Sequence, residues 1–242
     1  MILANVRQRL TREDAQLALR LVARGSGDEY SSAETALRER GIDSLLDDPR
    51  LLAALLANSQ AAHASLPLFT YVLVRHALSD TGERDRAIAD FVTSILLHFG
   101  ERDRAHRIRE YDDQTYDTLA SLVAEAECGD ATRAFLVRAH LGNYALWLAG
   151  LFPDHIESRR HRRGGPDLEY FDEMGRRGYQ LAANHQLAAQ HGLTDLFESV
   201  ADRFGRLRVA LNRVSDKILF PHNHSPDRLL RQVRDEARWM VS

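Results

Sequence analysis

Apolar side chains recur every three or four positions along almost the whole chain, and no stretch alternates apolar and polar residues between turn signals. A helix buries one stripe per 3.6 residues, whereas a strand buries alternate residues. The pattern therefore predicts an all-α fold with essentially no sheet, a single-domain array of about ten helices over 1–242.

Punctuation places the helices. Thr11 opens one that runs to Arg24 and stops at Gly25, and Ser31-x-x-Glu34 reads as a capping box for a helix closed by Gly41. Asp47-Asp48-Pro49 and Ser65-Leu66-Pro67 each place proline in a first turn, where its missing donor costs nothing. Further helices are expected over 83–99, 113–128, 130–151, 153–162, 166–190, 194–220 and 226–240. Gly164-Gly165-Pro166 is the clearest break, and it offers a subdivision into a core (1–163) and a long hairpin with a C-terminal helix (166–242).

The strongest periodic signal is Phe197, Val200, Phe204, Leu207, Leu211, Val214 and Ile218, spaced 3-4-3-4-3-4. Such a heptad seam needs a partner helix along its length, either within the chain or in a homodimer. The preceding helix carries a stripe of small residues, Gly175, Gly178 and Ala182, with Phe171, His185 and Ala189 on the same face. Two helical glycines cost roughly 1 kcal/mol each and are tolerated where another backbone comes close.

Composition narrows the partners. The formal net charge is −3, so the total balance favours neither a nucleic acid nor a membrane surface. Cys128 is the sole cysteine, which excludes an internal disulfide. The start, Met1-Ile-Leu-Ala-Asn-Val-Arg, lacks a basic region followed by a long apolar run, and a cytoplasmic protein is expected. The most apolar stretch, 134–152, contains Arg138, His140 and Asn143, so a core helix is expected there and not a membrane span.

Candidate chemistry is sparse. Arg159, Arg160, Arg162 and Arg163, next to the Gly-Gly-Pro break and a following helix N-terminus, are candidates for binding an anion or a partner. Arg138, His140, Asn143, Tyr144 and, on the small stripe, His185 put polar groups into apolar helical surroundings and are candidates for lining an interhelical pocket. Asp113 and Asp117, one turn apart on a helix, can hold magnesium facing a diphosphate, although carboxylates before an apolar run are also what a helix N-terminus needs. Eleven histidines form no Glu-x-x-His pair and no His-x-x-x-His, so no metal site is expected. Neither a nucleophile elbow nor a glycine-rich nucleotide loop is present, and no cofactor is expected.

The leading expectation is a protein-interaction or regulatory module, engaging a protein partner or a second copy through the seam, the small stripe or the arginine cluster. The alternatives are an enzyme or small-ligand binder with an interhelical pocket for a phosphate-like group, and a nucleic-acid binder using 159–163.

Overall fold

The computed structural model describes residues 2–23, 27–57, 63–101, 103–128 and 130–240, apart from the side chains of 128 and 237–240. Among these residues there are fourteen α-helices and no strand. The helices outnumber the sequence expectation because a short one was missed and two long segments are broken. The chain divides into two compact units, 2–98 and 99–242. The Gly164-Gly165-Pro166 break lies inside the second unit.

The first unit holds α1 (Arg12–Ala23), α2 (Gly27–Arg40), α3 (Asp43–Leu46), α4 (Pro49–Ala57), α5 (Leu66–Ser79) and α6 (Arg86–Phe99), whose last residue belongs to the second unit. Its core is built from Val22, Leu46, Leu51, Leu68, Tyr71, Val72, Phe91 and Val92. The proline-marked starts are as expected: Ser65 accepts a hydrogen bond from the Leu68 amide at 3.1 Å. Ser31 is no cap, since α2 starts four residues earlier and the Ser31 hydroxyl donates to the Gly27 carbonyl. The expected stop at Gly25 lies outside the described residues. A chain of charges links Arg7 to Asp43 (3.1 Å), and Arg86 and Arg75 to Asp47 (2.6 and 2.7 Å).

The second unit is organised by α8 (Ala131–Leu151), which is buried on nearly every side and capped by Asp130. Around it lie α7 (Leu119–Cys128), α9 (Pro153–Arg163), α10 (Leu168–Ala183), α11 (Gln186–Gln190), α12 (Thr194–Asp202), α13 (Phe204–Val214), a π-helical turn over Ser215–Leu219, and α14 (Pro226–Met240). Glycines let α10 and α8 approach closely: a Cβ on Gly178 would stand 2.9 Å from both the Arg138 carbonyl oxygen and the Gly142 nitrogen.

The seam is internal. Phe197, Val200, Phe204, Leu207, Leu211 and Val214 are at most 3% exposed, and Ile218 is partly exposed. The Phe204 ring covers Gly175, Leu211 covers Gly150, and Phe197 packs on Tyr179 (5.7 Å between ring centroids) and Phe135 (6.3 Å). This corrects the expected self-interface, because α8 and α10 already occupy the holes these knobs require. The segment is also not one helix: it breaks at Arg203 and ends in the π turn.

His185 is likewise misplaced by periodicity. α10 ends at Ala183, and His185 is the half-buried N-cap of α11, its Nδ1 accepting from the Leu187 amide at 3.2 Å. The 112–118 segment is not helical, so Asp113 and Asp117 do not share a helix face. Thr118 supplies the cap of α7, accepting from the Ser121 amide at 3.1 Å, while Asp112 pairs with Arg133.

α14 is inside out. Among its described side chains Arg228, Arg231 and Asp235 are buried, whereas Leu229, Leu230 and Val233 are 57%, 56% and 64% exposed. Arg228 and Arg231 both reach Asp154 of α9 and Asp216 of the π turn, with the closest contacts 2.6 and 2.7 Å.

Candidate functional site

One cavity in the second unit, of about 330 Å³, gathers residues from four helices and the segments before two of them. Tyr144 and Leu148, four apart, come from one face of α8. His155, Ile156 and Arg159 come from α9, and Pro166, Tyr170 and Phe171 from the start of α10 and the residues before it. Asp117, Thr118, Leu119 and Ala120 close the last side with the first turn of α7.

Burial divides these groups. Leu119, Tyr144, Ile156 and Phe171 are buried and form an apolar floor, while Asp117, Thr118, His155 and Arg159 are exposed at the rim. The Tyr144 hydroxyl donates to the Asp117 carbonyl over 3.3 Å, a long hydrogen bond. Burial, aided by the negative charge of Asp117 and opposed by Arg159, pushes the Tyr144 phenol up to about 12, so it stays a neutral donor near pH 7. Asp117 lies 3.1 Å from His106 Nδ1. Arg159 forms no hydrogen bond or ion pair among the described residues.

The arginine cluster is dispersed by helix geometry. Consecutive helical residues point about 100° apart, so Arg159 enters the cavity wall, while Arg160 leans on Glu157 at 3.5 Å in a separate polar cleft. Arg162 donates to the Ser158 hydroxyl one turn back, and Arg163 is exposed. Of the expected anion candidates, Arg159 alone reaches the cavity.

The pocket candidates divide in the same way. Tyr144 lines the cavity. His140 sits one turn away, stacked on Tyr144 (6.4 Å, 16°), with its Nε2 2.9 Å from the Ala105 carbonyl oxygen. Asn143 accepts from the Tyr179 hydroxyl at 2.8 Å in the core. Arg138 and His185 lie elsewhere. Sequence reading missed His155 and Tyr170. The signal for His155 was its position four residues before Arg159, which places both on one face of α9.

The polar cleft, about 270 Å³, is lined by Arg160, His161, Arg208, Asp172 and Asp235 among others. Its charges are largely paired. Arg208, 3% exposed, bonds to Asp172, Asp235 and Asn212. Among the described residues, no three His, Cys, Asp or Glu side chains gather as metal ligands would, and no helix is long and apolar enough to cross a membrane.

No family model, curated protein or solved structure matches this chain.

Proposed function

We propose that the second unit is a small-ligand-binding domain whose site is the cavity between α7, α8, α9 and α10. The observation that carries this reading is an apolar floor joined to a rim bearing an unpaired guanidinium, Arg159. Binding sites combine a concave apolar lining with a few convergent polar groups. A core built only for packing fills such a volume with side chains.

The volume sets the ligand's size. Taking roughly 30 Å³ per water-sized group, the cavity of about 330 Å³ accepts a body of about ten such groups. A thermal-shift series with ten-carbon amphiphiles is expected to raise the melting temperature progressively with concentration, because a ligand bound only by the folded state stabilises it by mass action. Ala120→Trp, which puts an indole at the exposed mouth of the cavity, is expected to abolish that shift. An unchanged shift in this variant would place binding elsewhere.

The interaction-module reading loses the heptad seam but retains one observation: the outward apolar face of α14, with Leu219 and Phe220 nearby in sequence and also more than 40% exposed. Its natural occupant is a second copy, because a two-fold axis through one helix face pairs that face with itself. Light scattering is then expected to report a dimer that Val233→Glu converts to a folded monomer. A monomeric wild type at 100 µM, about two orders above a micromolar Kd, would remove this reading. Val233 is exposed, so loss of fold is not expected to confuse the result.

A further inference from the structure

Resting on the cavity being the binding site, the rim's charge narrows the ligand class. We infer that the site takes a monoanionic carboxylate with an apolar body of about ten carbon-sized groups, in preference to a phosphate ester or diphosphate.

Charge at the rim is the first ground. Arg159 is the one arginine among the lining residues, and Asp117 brings a carboxylate to the same rim. A single guanidinium balances a single negative charge. Each further charge on the ligand meets Asp117 with no second guanidinium to offset it, since Arg160 is turned to Glu157 and Arg162 to Ser158, and His155 is the one other basic side chain among the lining residues.

Geometry is the second ground. A guanidinium presents parallel N–H groups in a plane, which match the two oxygens of a planar carboxylate. Arg159 is free to turn its fork to a ligand, since it is exposed and engages no other described group. The Tyr144 hydroxyl is the second donor. Its present bond to the Asp117 carbonyl is long at 3.3 Å, so exchanging it for a carboxylate oxygen sacrifices little. The first turn of α7, whose N-terminal amides a helix leaves without internal partners, adds a favourable potential on the opposite wall.

The floor supplies the third ground. Leu119, Leu148, Ile156 and Phe171 offer no charge, so the body of the ligand must be apolar. A short hydrophilic acid would leave this surface uncovered, whereas a neutral alcohol of the same length would cover it but leave Arg159 unused.

Titration calorimetry below the micellar range tests this with decanoate, decanol, decyl phosphate and decyl diphosphate. Decanoate is expected to bind at least about tenfold more tightly than decanol, about 1.4 kcal/mol, and more tightly than either phosphate. Arg159→Gln is expected to erase the advantage of the acid while leaving decanol affinity unchanged, with circular dichroism verifying the fold. Arg159→Lys, a point charge without the fork, is expected to restore part of it. Decanol equal to decanoate, or either phosphate ahead of decanoate, overturns the carboxylate assignment and leaves the cavity as a binding site. Failure of all four probes to bind, or binding that Ala120→Trp leaves unchanged, overturns the binding site itself.

Discussion

Gly178→Val is expected to lower the stability of the second unit by about 3 kcal/mol or more, the upper range for overpacking a filled core. A Cβ at this position meets the Arg138 carbonyl oxygen and the Gly142 nitrogen, both at 2.9 Å, and these are main-chain atoms of α8 that cannot rotate away. Relief requires α10 to move off α8, which loosens the packing of Tyr179 over Gly142 and the close approach of Ala145 to Gly175 at the same interface. Gly178→Ala pits the same clash against a gain of about 1 kcal/mol in helix propensity, so its net loss is expected to be smaller but of the same sign. Gly205→Ala serves as the control. That glycine is also helical, yet its added Cβ would meet nothing nearer than Asp172 Oδ2 at 3.9 Å, and the variant is expected to be neutral or slightly stabilised. Urea unfolding followed by circular dichroism gives the three values. A Gly178→Val protein as stable as wild type would mean that the α8–α10 contact is not as close as described.

That interface also shows how far the sequence could be read. Periodicity identifies helices because apolar side chains on one face leave a local trace, and glycine in a helix leaves another, so α8, α10 and a close backbone approach to α10 were legible, but not that α8 makes it. The partner of the heptad seam was not. A 3-4 spacing states that a hole must exist but not which helix provides it, and here the holes are formed by Gly150 and Gly175, whose helices precede the seam. Breaks were legible where a glycine takes positive φ, as at Gly41, Gly82, Gly164 and Gly192. They were invisible at Asn184 and Arg203, where the chain leaves the helix without such a residue. The cavity was half legible for a related reason. Tyr144 stood out as a polar group in an apolar helix and Arg159 as a member of the arginine cluster, but their convergence depends on how α8 and α9 cross, which no local pattern encodes. α14 inverts the usual rule. Its apolar stripe reads as core, yet its polar stripe is buried because Asp154 and Asp216 lie distant in sequence and supply the counter-charges.

Arg208→Met is the second large effect expected, and its size changes with pH. The Arg208 guanidinium joins Asp172 (Nε to Oδ2, 3.0 Å), Asp235 (Nη2 to Oδ1, 3.2 Å) and Asn212 (2.8 Å) in a site almost closed to water. Burial opposes its charged form, but the two carboxylates outweigh burial and hold it protonated. One guanidinium cannot fully offset two carboxylates. Burial therefore raises the Asp172 carboxyl above the ordinary aspartate range despite Arg208, with Asp235 adding to the rise. A carboxyl whose folded pKa is raised contributes stability on the acid side and loses it as pH rises through that pKa. Removing Arg208 lifts the Asp172 pKa further and leaves two buried carboxylates without the cation hydrogen-bonded to them, Arg176 acting on Asp172 only through space, a change that costs about 3–5 kcal/mol near neutral pH. For a chain of this size each kcal/mol is worth about 2–4 °C in Tm. The deficit is expected to shrink as pH falls from 7 toward 4 and Asp172 takes up a proton, whereas a methionine that merely packed badly would give a deficit independent of pH. Adding Asp172→Asn and Asp235→Asn to Arg208→Met removes the unpaired charge and is expected to recover most of the loss at pH 7. Melting curves of the three proteins across that range decide it: a deficit that stays flat with pH, or that the double asparagine change leaves in place, would show that Arg208 acts by packing and not by holding the two carboxylates.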